Sequence, residues 1–140
     1  MSEKQIETFT WEQFDNACYV LAKQIQTSSI TFFGIYGIPR GGLMVVIRLS
    51  HILNIQLHKQ DPRFFNLKRV LICDDISDTG NTLTPYKKEG YKIATIHFNP
   101  SSKVKPDFCA IIKQNNNWIE YSWEKKQDST RYFLKDSCEP

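Results

Sequence analysis

The stretch VLICDDISDTGNT, residues 70–82, decides the fold class of this chain. Its first four residues, Val70–Cys73, form a continuous apolar run, which is typical of a strand covered on both faces. Two aspartates follow this run, and the loop then carries Gly80 and the hydroxyl side chains of Thr79 and Thr82. We interpret this order as a buried strand that leads through a polar loop into a short helix.

Helices and short apolar strands alternate along the rest of the chain. The predicted helices span residues 11–26, 43–53 and 82–89, and the predicted strands span residues 30–35, 55–57, 70–73, 92–98 and 108–112. This alternation is typical of an α/β fold in which helices flank a mainly parallel central sheet. Since 140 residues fit one domain and leave no room for two, we expect a single domain over residues 1–140.

Two of the predicted helices have a clear buried face. Thr10 followed by Gln13 is a capping-box pattern, which predicts the start of the first helix. Apolar residues then recur at helical spacing and predict one buried stripe, made of Phe14, Cys18, Leu21 and Ile25. In the second helix, the predicted buried face consists of Leu43, Val46, Ile47, Ser50 and Leu53.

The composition excludes several classes of protein. Hydrophobic residues make up 41% of the chain and aromatic residues 13%, which is enough for a core and excludes a wholly disordered chain. The net charge of +3 is too small to favour nucleic acid as the main partner. The apolar runs are much shorter than the roughly 20 residues of a membrane helix, and the polar N-terminus has no signal-peptide core. We therefore expect neither a nucleic-acid nor a membrane partner.

The cysteines indicate the expected compartment. Cys18, Cys73, Cys109 and Cys138 are far apart in the sequence and form no zinc-ligand pattern. Such isolated cysteines are typical of small core residues in a reducing environment. A cytoplasmic location is therefore expected.

Two loops carry residues suited to phosphate chemistry, since ligands of open α/β sheets bind at the carboxyl ends of strands. In the first loop, the backbone N–H groups of residues 78–82 and the neighbouring hydroxyls predict a phosphate cradle. The preceding Asp74 and Asp75 suit the vicinal hydroxyls of a sugar, or a magnesium ion. The second loop, residues 37–42, combines glycines with the cation of Arg40, which suits a diphosphate. The ligand that the first loop suggests is a ribose 5-phosphate.

Two other interpretations of the acidic loop remain open. A pair of aspartates at a strand end is often only a solvated turn. An unrelated magnesium–carboxylate site, such as that of a phosphatase or a receiver domain, also places aspartates at a strand end. Neither interpretation explains why Thr79–Thr82 follow the aspartates in this order.

The segment Val70–Leu83 resembles the phosphoribosyl-diphosphate (PRPP) binding motif of the type I phosphoribosyltransferases. The loop Arg40–Gly42 resembles the diphosphate-binding loop of the same family. The first helix and the tail segments Trp118–Glu120 and Trp123–Glu124 resemble the bacterial xanthine-guanine phosphoribosyltransferases. The resemblance implies the α/β fold of that family with a small hood, and an enzyme that transfers ribose 5-phosphate from PRPP to a purine.

The resemblance also implies partners and residue roles. It implies PRPP and guanine, xanthine or hypoxanthine as substrates, diphosphate and a nucleoside monophosphate as products, and Mg²⁺ as cofactor. Asp78 is implied as the catalytic residue near N7 of the purine, and Asp75 as the carboxylate that binds the metal ion. The residues implied in PRPP binding are Arg40, Gly41, Asp74, Asp75, Asp78, Thr79, Gly80, Asn81, Thr82 and Arg63. Those implied in binding the base are Asp78, Asn99, Trp118 and Ile119.

The sequence departs from the family in two places. Asn99 stands where the family has a lysine that contacts the exocyclic oxygen of the base, and an amide donates or accepts hydrogen bonds without supplying charge. The flexible loop before the PRPP motif is shortened to residues 58–67, in which Arg63 is a candidate diphosphate ligand. The family often has a non-proline cis peptide in the diphosphate loop, and we expect it at Arg40-Gly41.

These departures keep a second function open. A regulatory protein of this fold that binds PRPP or a nucleotide without catalysis would tolerate a shortened loop and Asn99. Retention of Asp78 and of both preceding aspartates favours the enzyme. The many aromatic residues and the small loop favour a homo-oligomer, either a dimer or a tetramer.

Overall fold

The structure is a computed structural model that describes residues 4–125. Its strands are β1 (Ile6–Phe9), β2 (Gly34–Gly37), β3 (Val70–Ser77), β4 (Ile93–Phe98), β5 (Phe108–Ile112) and β6 (Trp118–Tyr121). Its α-helices are α1 (Trp11–Thr27), α2 (Gly41–Leu53) and α3 (Thr84–Lys88), and a 3-10 helix spans Pro62–Phe65. The chain forms two compact units, a large unit of residues 15–114 and a small unit that contains the residues on either side. Among the described helices, none has the length and apolar character needed to cross a bilayer.

The large unit is built on a four-stranded sheet in the order β2-β3-β4-β5, and all of its strand pairs are parallel. On one face, Tyr86 of α3 belongs to a core cluster with Ile72 and Ile93. Successive side chains of a strand point to opposite faces, and Cys73 lies on the other face, where burial and then the neighbouring thiol of Cys18 on α1 raise its pKa. The predicted α/β fold with a parallel sheet flanked by helices is therefore confirmed.

Residues that are close in the sequence determine where α1 begins. The Gln13 N–H donates to Thr10 Oγ1 at 3.1 Å, and the Thr10 N–H donates to Gln13 Oε1 at 2.8 Å, so the capping box forms as predicted. Within the large unit, Gln24 of α1 hydrogen-bonds both backbone groups of Cys109, which ties the helix to the edge strand β5. The predicted stripe is buried at all four positions: Phe14, Cys18, Leu21 and Ile25.

α2 buries Val46 of the predicted face, but the rest of its buried side differs from the prediction. Val45, Val46 and Leu49 are buried, whereas Leu43 and Ile47 of the predicted face are 42% and 47% exposed. Apolar residues surround most of this helix, so their spacing does not single out one face. The contacts of α2 with β2 and β3 decide which face is buried.

Two strand boundaries also differ from the prediction. β2 begins only at Gly34, because that residue pairs with Val70 at the start of β3, and the preceding Phe33 is 70% exposed. β3 does not end at Cys73 but continues to Ser77, because it stays paired with β4 over that length. The two aspartates of the acidic loop therefore lie on the last part of a strand.

The small unit contains a strand pair that the sequence analysis did not predict. β1 and β6 are parallel, with a register that runs from Ile6 opposite Trp118 to Phe9 opposite Tyr121. The rings of Tyr121 and Trp123 stack with centroids 4.9 Å apart and an interplanar angle of 13°. An aromatic cluster therefore stabilises this unit.

Candidate active site

The acidic loop surrounds a pocket at the carboxyl end of β3. The pocket has a volume of about 210 Å³ and is lined by residues 74–83. It contains the sequence-predicted PRPP residues Asp74, Asp75, Asp78, Thr79, Gly80, Asn81 and Thr82. The structure thus brings the carboxylates, the hydroxyls and the glycine of the motif around one cavity.

The second half of this loop offers free hydrogen-bond donors. Gly80 has a φ of +88°, a left-handed conformation that favours glycine, and a Cβ atom there would lie 2.8 Å from Ser102 Oγ. Within residues 4–125, the backbone N–H groups of Gly80 and Thr82 donate to no acceptor. The Asn81 N–H donates to Thr79 Oγ1 at 3.2 Å. Unengaged N–H groups beside threonine hydroxyls are suited to an anion such as phosphate.

The two leading carboxylates hydrogen-bond the backbone of the strand. The Asp75 N–H donates to Asp74 Oδ1 at 2.9 Å, and the Ile76 N–H donates to Asp75 Oδ1 at 2.8 Å. Burial raises the pKa of Asp75 above its ordinary value, so a cation beside it would stabilise its charged form. Among the described residues, no three His, Cys, Asp or Glu side chains cluster at ligand distance. Mg²⁺ usually takes one or two protein carboxylates together with substrate oxygens, so this pair fits it.

The loop before α2 meets the acidic loop at Gly41. A Cβ atom on Gly41, the first residue of α2, would overlap the Asp75 carboxylate on β3, so the start of the helix is in direct contact with the end of the strand. Arg40 precedes α2, its side chain is exposed, and it has no ion-pair partner among residues 4–125. The non-proline cis peptide lies between Pro39 and Arg40, so the prediction of Arg40-Gly41 was wrong by one bond.

Asp78 and Asn99 lie side by side at the ends of neighbouring strands. Asn99 Nδ2 donates to Asp78 Oδ1 at 2.9 Å, and the Ser101 N–H donates to Asn99 Oδ1 at 3.0 Å. The strand pairing explains this proximity, because Ser77 at the end of β3 pairs with Phe98 at the end of β4. The structure therefore brings together two residues that the sequence analysis assigned to the base.

The loop after β4 also contributes residues that the sequence analysis missed. The Lys103 N–H donates to the Thr79 carbonyl at 3.0 Å, and Lys103 Nζ donates to Asn81 Oδ1 at 2.9 Å. Ser77 Oγ is buried and lies 2.8 Å from Ser102 Oγ. One signal could have identified this loop, since loops that follow adjacent parallel strands meet at the same edge of a sheet.

Three predicted site residues are not among those that line this pocket. Arg63 forms an ion pair with Asp61 at 2.7 Å, and its guanidinium lies 4.1 Å from the ring centroid of Tyr86. It does not belong to the residues that line the pocket at the end of β3. Trp118 and Ile119 lie on β6 in the small unit, where Trp118 is 50% exposed and Ile119 is buried. The roles of all three residues stay predictions.

No protein-family model matches the chain. A xanthine-guanine phosphoribosyltransferase from Idiomarina loihiensis is 26% identical over 138 residues, with 82% of this chain and 84% of the relative covered. The solved structure of a xanthine-guanine-hypoxanthine phosphoribosyltransferase from Helicobacter pylori is 19% identical and has a TM-score of 0.73, with 91% and 99% of the two chains covered. At that identity, the likeness concerns the fold alone.

A third relative carries more weight, because both its sequence and its fold are similar. The purine phosphoribosyltransferase from Pyrococcus horikoshii Ot3 is 31% identical, its structure has a TM-score of 0.71, and 86% of this chain and 95% of that chain are covered. The same acidic motif that resembles a PRPP site lies, in this structure, around the pocket at the end of β3. The chain belongs to the type I phosphoribosyltransferase family of enzymes and is close to the xanthine-guanine phosphoribosyltransferases.

Proposed function

We propose that this chain is a purine salvage enzyme that transfers ribose 5-phosphate from PRPP to guanine, xanthine or hypoxanthine and releases diphosphate. The single observation that carries this proposal is the pocket lined by residues 74–83. A ribose 5-phosphate needs acceptors for its hydroxyls and donors for its phosphate a few residues apart, and this pocket offers both. The names of the relatives support a purine as the second substrate.

The two loops would share the binding of PRPP. In this proposal, the 5′-phosphate is held by the N–H groups and hydroxyls of Thr79–Thr82, and the ribose hydroxyls donate to Asp74. Arg40 and Gly41 are proposed to bind the diphosphate, which the exposed side chain of Arg40 and the close approach of Gly41 to Asp75 support. Arg63 is proposed as a further diphosphate ligand, for which it must leave its ion pair with Asp61.

Mg²⁺ is proposed as the cofactor, with Asp75 as its protein ligand. When bound, the ion neutralises the charge that develops on the leaving diphosphate. The contribution of the chain is to hold the carboxylate against Gly41, where burial disfavours an uncompensated charge.

Catalysis in this proposal consists of positioning and of electrostatic stabilisation. The transferring ribose gains positive charge in the transition state, and carboxylates preorganised beside it stabilise that charge. Asp78 takes the catalytic role, accepting the proton from N7 of the purine as N9 attacks the ribose. Trp118 and Ile119 are proposed to contact the base, and its stacking on a side chain is worth roughly 1–3 kcal/mol. A homo-oligomer in the cytoplasm is the proposed state of the enzyme.

The test is an incubation of the purified protein with PRPP, Mg²⁺ and single bases, followed by mass spectrometry of the products. The bases are guanine, xanthine, hypoxanthine, adenine, uracil and orotate, and an incubation without protein is the control. A nucleoside monophosphate formed from a 6-oxopurine, in equal amount with diphosphate, is the expected result. If PRPP or a nucleotide binds tightly but no base is transferred, the chain is a regulatory protein instead, which the shortened loop and Asn99 would then explain.

A further inference from the structure

We propose that a second pocket, at the opposite edge of the sheet from the acidic loop, binds a nucleoside monophosphate. The pocket has a volume of about 470 Å³, within the range of small-molecule sites in proteins, roughly 300–1,000 Å³. Gly34 and Val70, the first residues of β2 and β3, line it, whereas the candidate active site lies at the carboxyl end of β3. The two pockets share no lining residue, so this inference goes beyond the proposed function.

The fully charged side chains that line this pocket are basic. They are Lys68 and Arg69, and no aspartate or glutamate is among the lining residues. Lys68 Nζ is engaged, since it donates to the Glu89 carbonyl at 2.6 Å and lies 4.4 Å from the ring centroid of Tyr91. Within residues 4–125, Arg69 forms no ion pair, and its hydrogen bond to the Thr31 carbonyl is long at 3.5 Å. The pocket therefore offers one guanidinium that lacks an anionic partner, and a guanidinium binds phosphate oxygens well.

His58 adds a second possible donor. Its Nε2 is buried and has no hydrogen-bond partner among residues 4–125. Its backbone is fixed, because the His58 N–H donates to the Ile35 carbonyl at 2.8 Å. A buried polar atom without a partner is costly, so a ligand that gives Nε2 a partner when the ring turns about Cβ–Cγ is favoured. One guanidinium and one imidazole suit a single phosphate group, since the further charges of a triphosphate would lack partners.

Phe33 offers a flat apolar surface beside Arg69. The Phe33 N–H donates to the Arg69 carbonyl at 2.9 Å, and the Arg69 guanidinium lies 5.6 Å from the centroid of the Phe33 ring. The ring is exposed, and bases stack on exposed aromatic rings. Gln56 and Asn66 also line the pocket, and their side chains form no hydrogen bond within the described residues. A side-chain amide both donates and accepts, so these two suit the polar edge of a base.

The test uses adenosine 5′-monophosphate (AMP) as the probe, because it is not a product of the proposed transfer. PRPP and Mg²⁺ are kept at saturating concentration so that they occupy the active site, and titration calorimetry measures the binding of AMP. One molecule of AMP per chain is expected, and adenosine and inorganic phosphate are each expected to bind at least about 10-fold more weakly. No binding of AMP, or binding of either fragment as tightly as AMP, overturns the proposal.

A matched pair of variants assigns the binding to this pocket. Arg69→Met is expected to weaken the binding of AMP by at least about 10-fold, because it removes the guanidinium that pairs with the phosphate. Arg48→Met is the control, since the Arg48 guanidinium also lies near an aromatic ring, 5.2 Å from the centroid of Tyr19, but pairs with Asp15 and lines neither pocket. The control is expected to bind AMP as the parent does. Equal affinities in Arg69→Met and Arg48→Met overturn the proposal.

Proton NMR of the histidine rings locates the ligand without a change in the binding site. The chain has three histidines, and His58→Gln identifies the signals of His58. In the presence of PRPP and Mg²⁺, AMP is expected to shift the ring signals of His58 and to leave those of His51 unchanged. Binding that leaves the His58 signals in place overturns the proposal. None of these measurements requires transfer, so a protein that transfers to no base loses the proposed function, whereas this site stands if AMP still shifts His58.

Discussion

Gly41 lies so close to Asp75 that a single added carbon atom at Gly41 would overlap the aspartate carboxylate. This contact joins the loop that precedes α2 to the end of β3. The φ of Gly41 is not positive, so its backbone conformation does not require glycine. Glycine is required here because there is no room for a side chain. The position of the carboxylate that is proposed to hold Mg²⁺ therefore depends on a residue of the other loop.

Gly41→Ala is expected to displace Asp75 and to lower kcat/KM for transfer by at least about 10-fold, together with a destabilisation of about 1–3 kcal/mol from overpacking. The matched control is Gly90→Ala. Gly90 has a φ of +88° and no atom within 4 Å of an added Cβ, so alanine costs about 1–2 kcal/mol through the backbone alone. Thermal melts and steady-state kinetics of both variants give the comparison. Equal activity in Gly41→Ala and Gly90→Ala would contradict a special role for Gly41.

Asp78→Asn is expected to lower kcat by about 10²–10⁴-fold, because the amide cannot accept a proton from the base. The fold and PRPP binding are expected to persist, since the asparagine oxygen still accepts the hydrogen bond from Asn99. Titration calorimetry with PRPP and product assays on the same preparation measure the two effects separately. A variant that transfers as fast as the parent would show that Asp78 is not the catalytic residue.

Lys103→Met removes the ammonium group that donates a hydrogen bond to Asn81 Oδ1 beside the phosphate cradle. We expect Lys103 Nζ to contact the 5′-phosphate as well. Because a hydrogen bond to a charged group contributes about 1.5–3 kcal/mol, the KM for PRPP is expected to rise by about 10-fold or more with little change in kcat. Lys105→Met is the control, since Lys105 is an exposed lysine of the same loop without a hydrogen bond to Asn81. The same KM in both variants would argue against a contact between Lys103 and the phosphate.

His97 makes the stability of the protein depend on pH. It is 2% exposed, and burial, followed by the charge of Lys113, lowers its pKa from 6.5 to about 4. Between these pH values the unfolded chain binds a proton that the folded chain does not, so the free energy of unfolding falls as the pH falls. When the pH falls from 7.5 to 5.0, the free energy of unfolding of His97→Gln is expected to fall by about 2 kcal/mol less than that of the parent. Urea unfolding at both pH values measures this difference, and equal losses would contradict a buried neutral histidine.

The capped helix and the phosphate cradle were predictable because their determinants lie within a few residues. The reciprocal hydrogen bonds of Thr10 and Gln13 require only a spacing of three residues along the chain. The same holds for Gly80, whose positive φ belongs to a turn that the sequence marks with glycine between polar residues. The residues that determine such features are neighbours in the sequence, so the sequence alone is enough to predict them.

The buried face of α2 and the strand pair of β1 and β6 were not predictable in this way. α2 is apolar on most of its surface, so only its packing on β2 and β3 leaves Leu43 and Ile47 exposed. β1 and β6 are short and join residues more than a hundred positions apart, as in the pairing of Ile6 with Trp118. Strands that pair at such a separation in the sequence produce no local periodic pattern from which their pairing could be predicted.

By itself, the sequence determined the α/β class, the acidic loop after a buried strand and the family to which the chain belongs. The class follows from the alternation of helices and apolar strands along the chain, and the other two depend on the order of residues in one short segment, 70–82. Only the tertiary structure decided the hydrogen bond between Asn99 and Asp78, the contact between Gly41 and Asp75 and the place of Lys103 beside Asn81. Each of these contacts joins segments that are distant in the chain and that meet because parallel strands end at the same edge of one sheet.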